Sequence, residues 1–324
     1  MAIDQTDRII GVDIAKIVSM LFVVAVHVNG YGLLYSGDDS PGIDYVLLRP
    51  FLDAIFMASI NIFAMASGYV GIVSSFNLSR IIKLWIQVVF TGLVVLACLD
   101  FFTGINIQSM DYQKACIPIA QRQYWYMTAY FMLCFVMPIL NFGLKAMDKK
   151  TLGGLILLLL GIICGESLMS IGALGVEGGY SFEWLLVLYV AGAYIRLYNP
   201  LEKAKWSLVG CACACAMVVG WMPLLLQSVY FKRGLGFSGY TSPFIVLIAV
   251  CIFSVSVRLR ISSTRLTKFI RLLSSTSLGV YLIHAQPIFF REIFCREAYK
   301  LDVSTGVGYL FKLFIMTVLV YSYM

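Results

Sequence analysis

The sequence predicts an all-α integral membrane protein, a polytopic bundle of about ten transmembrane helices with a cytoplasmic N-terminus. Two bulk properties support this: 60% of the 324 residues are hydrophobic and 13% are charged, and the mean hydropathy is +0.89. Soluble domains carry about twice that share of charged residues. The third observation is the length of the apolar runs, most of which approach the roughly 20 residues that a helix needs to cross a bilayer core.

Ten apolar segments fit this description, and helices are expected because a lipid-exposed backbone must satisfy its own hydrogen bonds. The second segment is long enough to be tilted, or broken near Asn61 or Gly68, and the sixth is short. We predict one transmembrane domain over 1–324, with no attached soluble domain and no cleaved signal peptide. The segments are 10–34, 46–73, 81–103, 124–143, 152–173, 182–198, 206–227, 241–258, 269–290 and 305–323.

Lysine and arginine residues give the orientation, because cytoplasmic loops of membrane proteins are enriched in them. With a cytoplasmic N-terminus, the inner ends of the segments include Arg80, Lys145, Arg196 and Arg258 and carry more basic residues than the outer ends. The net charge of +7 is explained by this asymmetry, so no nucleic-acid partner is expected.

The nine cysteines predict neither a metal site nor a disulfide framework. Most of them lie in or beside apolar runs, and Cys211, Cys213 and Cys215 have no nearby histidine or acidic ligand. They are expected to be small packing residues. No permanently bound cofactor is predicted.

The first segment, VDIAKIVSMLFVVAVHVNG, contains Asp13, Lys16 and His27 within an apolar run. Ionisable residues at bilayer depth are costly and usually functional. From Lys16 to His27 a helix turns through about 1100° and rises about 16 Å, so both residues share one face. This spacing suits coenzyme A, which has phosphates at one end and a thioester at the other. The alternatives are that Lys16 snorkels to the interface and that His27 is a neutral packed residue.

Further candidate residues stand on the predicted cytoplasmic side. Arg80-Ile-Ile-Lys83 opens the third segment, where the two cations either bind a phosphate or act as a positive-inside anchor. Ser67-Gly68-Tyr69 ends the second segment, and its glycine permits a turn or a close backbone approach.

Other candidates stand on the predicted outer side. Trp125 and Tyr126 either stack on a sugar ring or belong to an interfacial aromatic belt. His284 is either a second base or a packed residue. Pro287, three residues later, is expected to break the ninth helix locally and open a polar pocket.

These motifs together resemble the acyltransferase 3 family of membrane proteins, over nearly the whole chain. VDIAK followed by His27 looks like the family's opening, in which an arginine or lysine precedes a histidine by eleven positions. FAMASGY, RIIK, QYWYMTAYF and SLGVYLIHAQP follow in the family's order. Lysine stands in place of arginine at Lys16 and Lys83, which keeps the charge but loses the bidentate fork.

The resemblance implies O-acylation of a surface carbohydrate. The expected donor is cytoplasmic acetyl-CoA, or less often another acyl-CoA. The expected acceptor is a hydroxyl of a lipid-linked or exported glycan, such as O-antigen, capsule or exopolysaccharide, and the expected location is the bacterial inner membrane.

The resemblance also assigns roles to residues. His27 is expected to act as a general base or as a transient acyl carrier, with His284 as the second catalytic candidate. The predicted acyl-CoA-binding residues are Lys16, Arg80 and Lys83, the supporting residues are Asp13, Ser67 and Tyr69, and the acceptor-side residues are Trp125 and Tyr126.

Two other classes of protein remain open. A transporter or flippase of a glycan or lipid-linked precursor would also bury charges in a helical bundle. It should show paired broken helices at mid-membrane, and it does not need a phosphate site three turns from a histidine. A catalytically silent family member, acting as a partner or sensor, is the third possibility.

Overall fold

The computed structural model describes residues 9–31, 43–200, 204–229, 237–298 and 306–323, and within these ranges it is helical, without a strand. A 3-10 turn covers Glu177–Gly179, and a π-helical turn, Phe290–Phe294, joins the twelfth and thirteenth helices. The α-helices are α1 Ile10–Tyr31, α2 Ile43–Phe56, α3 Ser59–Gly71, α4 Leu78–Thr103, α5 Ser109–Cys116, α6 Trp125–Ala146, α7 Lys149–Met169, α8 Phe182–Tyr198, α9 Trp206–Val229, α10 Pro243–Arg258, α11 Thr264–His284, α12 Pro287–Phe289, α13 Cys295–Ala298 and α14 Gly306–Tyr323.

Each of the ten predicted segments contains a helix. In the described part of the chain, six spans are long and apolar enough to cross a membrane; they contain α1, α2 with α3, α4, α6, α7 and α9. Helices α10 and α14 are shorter and apolar, α8 has 17 residues, and the first turns of α11 are basic. The count of ten crossings and the cytoplasmic N-terminus stay predictions.

The second span is broken, as predicted, but at another place. α2 ends at Phe56 and α3 begins at Ser59, so the break precedes both predicted positions, Asn61 and Gly68. There the Ala58 amide donates to a carbonyl three residues earlier, at 3.2 Å, in place of the i−4 bond of a regular helix.

Asn61 lies inside α3 and joins it to neighbouring elements. Its side-chain oxygen accepts a hydrogen bond from the indole of Trp184 at 3.0 Å, and its amide donates to the carbonyl of Tyr240 at 2.8 Å. A buried amide that is bonded on both sides fixes the register of α3 against α8, so Asn61 holds the helix in place.

Helices α3 and α8 approach each other through two glycines. A Cβ added at Gly68 would lie 1.9 Å from the carbonyl oxygen of Tyr189, and one added at Gly192 would lie 2.0 Å from that of Met65. Small residues let helix backbones come this close. The close approach predicted at Gly68 is confirmed.

α1 is the central helix and packs against α2, α3, α10, α11 and α14. Near its C-terminal end, Asn29 donates to Asp53 of α2 at 2.5 Å and accepts from the hydroxyl of Tyr309 of α14, also at 2.5 Å. These bonds fix the end of α1 that carries His27.

The predicted break at Pro287 is confirmed. α11 ends at His284, and Pro287 is the first residue of α12. The side chain of Gln286 accepts hydrogen bonds from the amides of Ile288 and Phe289 at 2.9 and 2.8 Å, so the new helical segment, 287–298, starts with a cap.

Candidate active site

The two histidines of the chain meet in the interior. His27 of α1 and His284 of α11 place Nδ1 and Nε2, respectively, 3.1 Å apart, and His284 is fully buried. The sequence left each residue open as either a catalytic or a packed histidine, and it did not pair them. α1 and α11 are in direct contact, and this contact creates the pair.

A backbone carbonyl fixes the tautomers of the pair. The Nδ1 of His284 lies 2.6 Å from the carbonyl oxygen of Val280, which can only accept. In the neutral ring, Nδ1 of His284 therefore carries the proton and its Nε2 accepts from the Nδ1–H of His27. It follows that the lone pair of His27 is on Nε2, which is the nitrogen able to take a proton or attack a carbonyl.

Two phenylalanines of the 287–298 segment pack against the histidines. Phe290 meets His27 edge-on with ring centroids 5.0 Å apart, and Phe294 lies 6.4 Å from His27 and 6.1 Å from His284. The π-helical turn contains both rings, stacked on each other at 5.2 Å. Such turns are frequent at functional sites, and this one gives the histidine pair an apolar wall.

A cationic cavity of about 540 Å³ lies at the Lys16 end of α1. The described residues that line it include Lys16, Arg80 and Lys145 and no acidic side chain. The N-terminus of α4 also opens there, with Asn77 accepting from the amide of Arg80 at 3.3 Å. Three cations and a helix N-terminus together favour an anionic ligand.

Other residues predicted at this end fall in different places. Ser67 lines the cavity and donates to the carbonyl of Phe63 at 3.1 Å. Lys83 is exposed and is not among the residues that line the cavity.

Asp13 and Tyr69 are held by other helices. Asp13 is buried and accepts from the hydroxyl of Ser274 of α11 at 2.7 Å. The guanidinium carbon of Arg196 lies 5.0 Å from the centroid of the Tyr69 ring. The guanidinium group also donates a hydrogen bond to the Tyr69 hydroxyl at 3.4 Å. Both contacts favour a supporting role over contact with a ligand.

A row of rings leads from the cavity to the histidines. Tyr130 lines the cavity and stacks on Tyr126 at 6.1 Å. Tyr126 lies 6.2 Å from Tyr281, whose ring lies 6.1 Å from that of His284.

A small void of about 20 Å³ lies beside the middle of this row. Tyr126 and Tyr281 line it, together with Met20 and Val23 of α1. α1 is uninterrupted, so these two residues lie on the stripe that joins Lys16 to His27, at positions four and seven after Lys16. The void therefore lies on the face of α1 that carries Lys16 and His27, at positions between those two residues.

The hydroxyl of Tyr126, a residue that lines this void, is buried and poorly hydrogen-bonded. The residue is 6% exposed, and its oxygen forms no hydrogen bond of ordinary geometry with any described residue, although Ser67 lies near it. A buried hydroxyl without a well-formed hydrogen bond is costly, so this one is a candidate to bond a ligand beside the void.

The predicted acceptor-side residues, Trp125 and Tyr126, are in edge contact with ring centroids 5.7 Å apart, but their other neighbours differ. Trp125 belongs to an aromatic cluster with Tyr180, at 4.7 Å, and Tyr240, at 6.2 Å, and Tyr180 is exposed. Tyr126 turns into the bundle instead. Neighbouring residues in a helix point about 100° apart. The two side chains of this Trp-Tyr motif therefore face different parts of the protein.

Sequence reasoning missed three residues that the structure adds to the site: Lys145, Phe290 and Phe294. Lys145 was used only for orientation, since a lysine at a helix end is typical of any membrane protein. The two phenylalanines stand four apart just after the proline break, a spacing that could have indicated a common face. Among the described residues, no cluster of three His, Cys, Asp or Glu side chains could hold a metal ion.

Comparisons with known proteins identify the family of the chain. Residues 9–323 match the model of a family described as "Acyltransferase domain", the acyltransferase 3 family, and this confirms the resemblance in the motifs. No curated protein and no solved structure matches the chain. Because the match covers essentially the whole sequence, the chain belongs to the acyltransferase 3 family of membrane-associated acyltransferases.

Proposed function

We propose that this protein transfers an acyl group, acetyl in the first place, from cytoplasmic acyl-CoA to a hydroxyl of a cell-surface or lipid-linked glycan. The observation that carries the proposal is the contact between His27 and His284. It leaves the lone pair of His27 on Nε2, in a partly buried position, at the far end of the stripe that begins at Lys16.

The cationic cavity is the proposed site of the coenzyme A phosphates. Lys16, Arg80 and Lys145 supply three charges around about 540 Å³, within the volume range of small-molecule sites. Lys83 stays a predicted ligand, although the structure gives Lys145 the place in the cavity wall. A cavity on the predicted cytoplasmic side suits a donor made in the cytoplasm.

The pantetheine arm is proposed to follow the tyrosine row. The arm is long, narrow and largely apolar, with two amide groups, and the void lined by Met20, Val23 and Tyr126 is narrow and apolar. The Tyr126 hydroxyl is in a position to donate a hydrogen bond to the carbonyl oxygen of one of those amides. That bond would satisfy the hydrogen-bonding capacity of the hydroxyl. The void must widen when the donor binds, and a methionine side chain repacks easily.

Two routes of transfer use the same atom of His27. In direct transfer, Nε2 takes the proton of the sugar hydroxyl while that oxygen attacks the thioester carbon, the C–S bond breaks, and the proton passes to the coenzyme A thiolate. In the second route, Nε2 attacks the thioester carbon and thiolate leaves. The sugar hydroxyl then attacks the acyl carbon, the C–N bond breaks, and the hydroxyl proton passes to the released Nε2 and from there to the coenzyme A thiolate. His284 orients His27 in both routes.

The transporter alternative has less support. Helices are interrupted at Ala58 and Ala285, but the family match favours an acyltransferase.

The test is the ester content of the surface glycan, measured by mass spectrometry in cells that carry the wild-type gene, His27→Ala, or no gene. We expect O-acyl esters only with the wild type. Immunoblotting of membranes must show equal amounts of both proteins. Equal ester content with and without the gene would refute the proposed activity.

A further inference from the structure

A second cavity, polar in character, lies at the opposite end of α4. Its volume is about 580 Å³, and it is formed between the α4–α5 connection and the 287–298 segment. We call it the polar groove. Its polar lining includes Asn106, Gln108, Asp111, Arg291, Glu292 and Arg296.

α4 connects the two cavities. Its first turn, with Arg80 and Asn77, lines the cationic cavity, and its last residue, Thr103, lines the polar groove. A helix of 26 residues is about 39 Å long, which exceeds the thickness of a bilayer core. The two cavities thus lie at opposite ends of one membrane-spanning helix.

The groove shares a wall with the histidine pair. Within the 287–298 segment, Phe290 and Phe294 contact the histidines, whereas Arg291 and Glu292 line the groove. The same short helical segment therefore contributes both to the wall of the groove and to the apolar wall of the histidine pair.

The charges of the groove are balanced, in contrast to the cationic cavity. Glu292 accepts from Arg291 at 2.8 Å and from Arg296 at 2.7 Å, and Asp111 is a second carboxylate in the wall. The hydrogen bond from Arg291, and the charge of Arg296, hold the pKa of Glu292 below its usual range, so the ion pairs persist at neutral pH.

The wall of the groove is also ordered by its own hydrogen bonds. Gly104, with φ of +67°, ends α4 in the left-handed conformation. The amide of Gln108 donates to the carboxylate of Asp111 at 3.1 Å, which caps α5. Amide, carboxylate and guanidinium groups whose charges balance are suited to the hydroxyls of an uncharged polyol.

We propose that the polar groove binds the acceptor glycan, through uncharged sugar units, and presents a hydroxyl to His27 past Phe290 and Phe294. This inference rests on the proposed function, because it places the acceptor of the same reaction. It assigns the acceptor to a surface separate from the aromatic cluster of Trp125, Tyr180 and Tyr240, none of which lines the groove.

The test separates binding from transfer. Purified full-length protein in detergent is titrated with neutral methyl hexosides, followed by saturation-transfer NMR, and methyl glucuronide serves as a charged comparator. The test variant combines Asn106→Leu with Arg291→Gln. Lys114→Gln, an exposed charge change on α5 outside the groove, is the matched control, and Trp125→Ala tests the competing surface.

We expect binding of at least one neutral hexoside to wild type and to Lys114→Gln, weakened about tenfold in the double variant, since each lost hydrogen bond weakens binding several-fold. Unchanged binding in the double variant, or binding lost only in Trp125→Ala, overturns the groove assignment. So does preference for the glucuronide, or no hexoside binding to wild type. The two proposals can also fail separately. If the groove residues are needed for hexoside binding but the protein forms no glycan ester, the groove assignment is supported and the proposed reaction is refuted.

Discussion

The Nδ1 of His27 lies 3.1 Å from the Nε2 of His284, and the Nδ1 of His284 lies 2.6 Å from the carbonyl oxygen of Val280. In the reaction that we propose, this chain of two bonds makes His284 a positioning residue, since it accepts from His27 and thereby holds the lone pair of His27 on Nε2. In Ser-His-Asp hydrolases, a carboxylate likewise accepts from the Nδ1–H of the catalytic histidine and holds its tautomer and orientation.

Replacement of His284 should lower turnover without weakening donor binding. We expect His284→Phe to lower kcat roughly 100-fold, in the range for loss of an acid–base arrangement, with an unchanged KM for acetyl-CoA. His284→Gln should retain more activity, because its amide oxygen can still accept from His27. Steady-state release of coenzyme A measures both constants. Equal activity of the Phe and Gln variants would mean that the hydrogen bond to His27 has no role.

The cations of the cavity should determine donor affinity. Lys16→Gln combined with Arg80→Gln should weaken acetyl-CoA binding at least tenfold, because each charge-assisted hydrogen bond contributes about 1.5–3 kcal/mol. Lys145→Gln should weaken it to a lesser degree. Isothermal titration in detergent measures these affinities.

Two controls make that experiment specific. S-acetylpantetheine lacks the nucleotide phosphates, so its affinity should be unaffected by these variants. Lys83→Gln removes a charge one turn from Arg80 but outside the cavity wall. If Lys83→Gln weakens acetyl-CoA binding as strongly as Lys145→Gln does, the predicted role of Lys83 is supported. Donor binding would then also depend on a residue outside the cavity wall.

Tyr126→Phe should weaken acyl-CoA binding while it leaves the empty protein as stable or more stable. The substitution removes a buried hydroxyl that forms no hydrogen bond of ordinary geometry with the described residues, and an unsatisfied group costs about 1–3 kcal/mol. Binding should weaken by up to about tenfold if the hydroxyl bonds a pantetheine amide.

Tyr124→Phe is the matched control for that substitution. The Tyr124 hydroxyl donates to the carbonyl of Leu282 at 3.0 Å, so its removal should destabilise the protein by about 1 kcal/mol and leave donor affinity unchanged. A thermal shift assay in detergent compares the two. Loss of stability in Tyr126→Phe equal to that in Tyr124→Phe would show that Tyr126 has a structural hydrogen bond.

Gly192→Ala should destabilise the α3–α8 contact by roughly 1–3 kcal/mol, the usual cost of overpacking. An added Cβ would lie 2.0 Å from the backbone carbonyl oxygen of Met65. This oxygen cannot rotate out of the way as the end of a flexible side chain can. Heating in detergent with a thiol-reactive dye reports exposure of the buried Cys134 and Cys164. Gly154→Ala, where nothing lies within 4 Å of the new Cβ, should unfold at the wild-type temperature.

Much of the fold was predictable because the bilayer imposes strong local rules. Helix length and apolar composition predicted a helix in every one of the ten segments. The break after His284 followed from Pro287, whose ring and missing amide hydrogen interrupt a helix by local chemistry alone. The break before α3 was misplaced, since no proline or glycine stands at Met57 and Ala58, and its position depends on contacts with other helices.

The sequence by itself determined the membrane class, the family and the one-face relation of Lys16 and His27, because helix periodicity within α1 is a local property. Only the tertiary structure decided that His284 is the partner of His27, that Lys145 joins the cationic cavity and that Tyr126 turns inward. These are contacts between helices far apart in the chain, and they depend on how the helices pack. Periodicity states which face of a helix a residue occupies, and packing decides what that face meets.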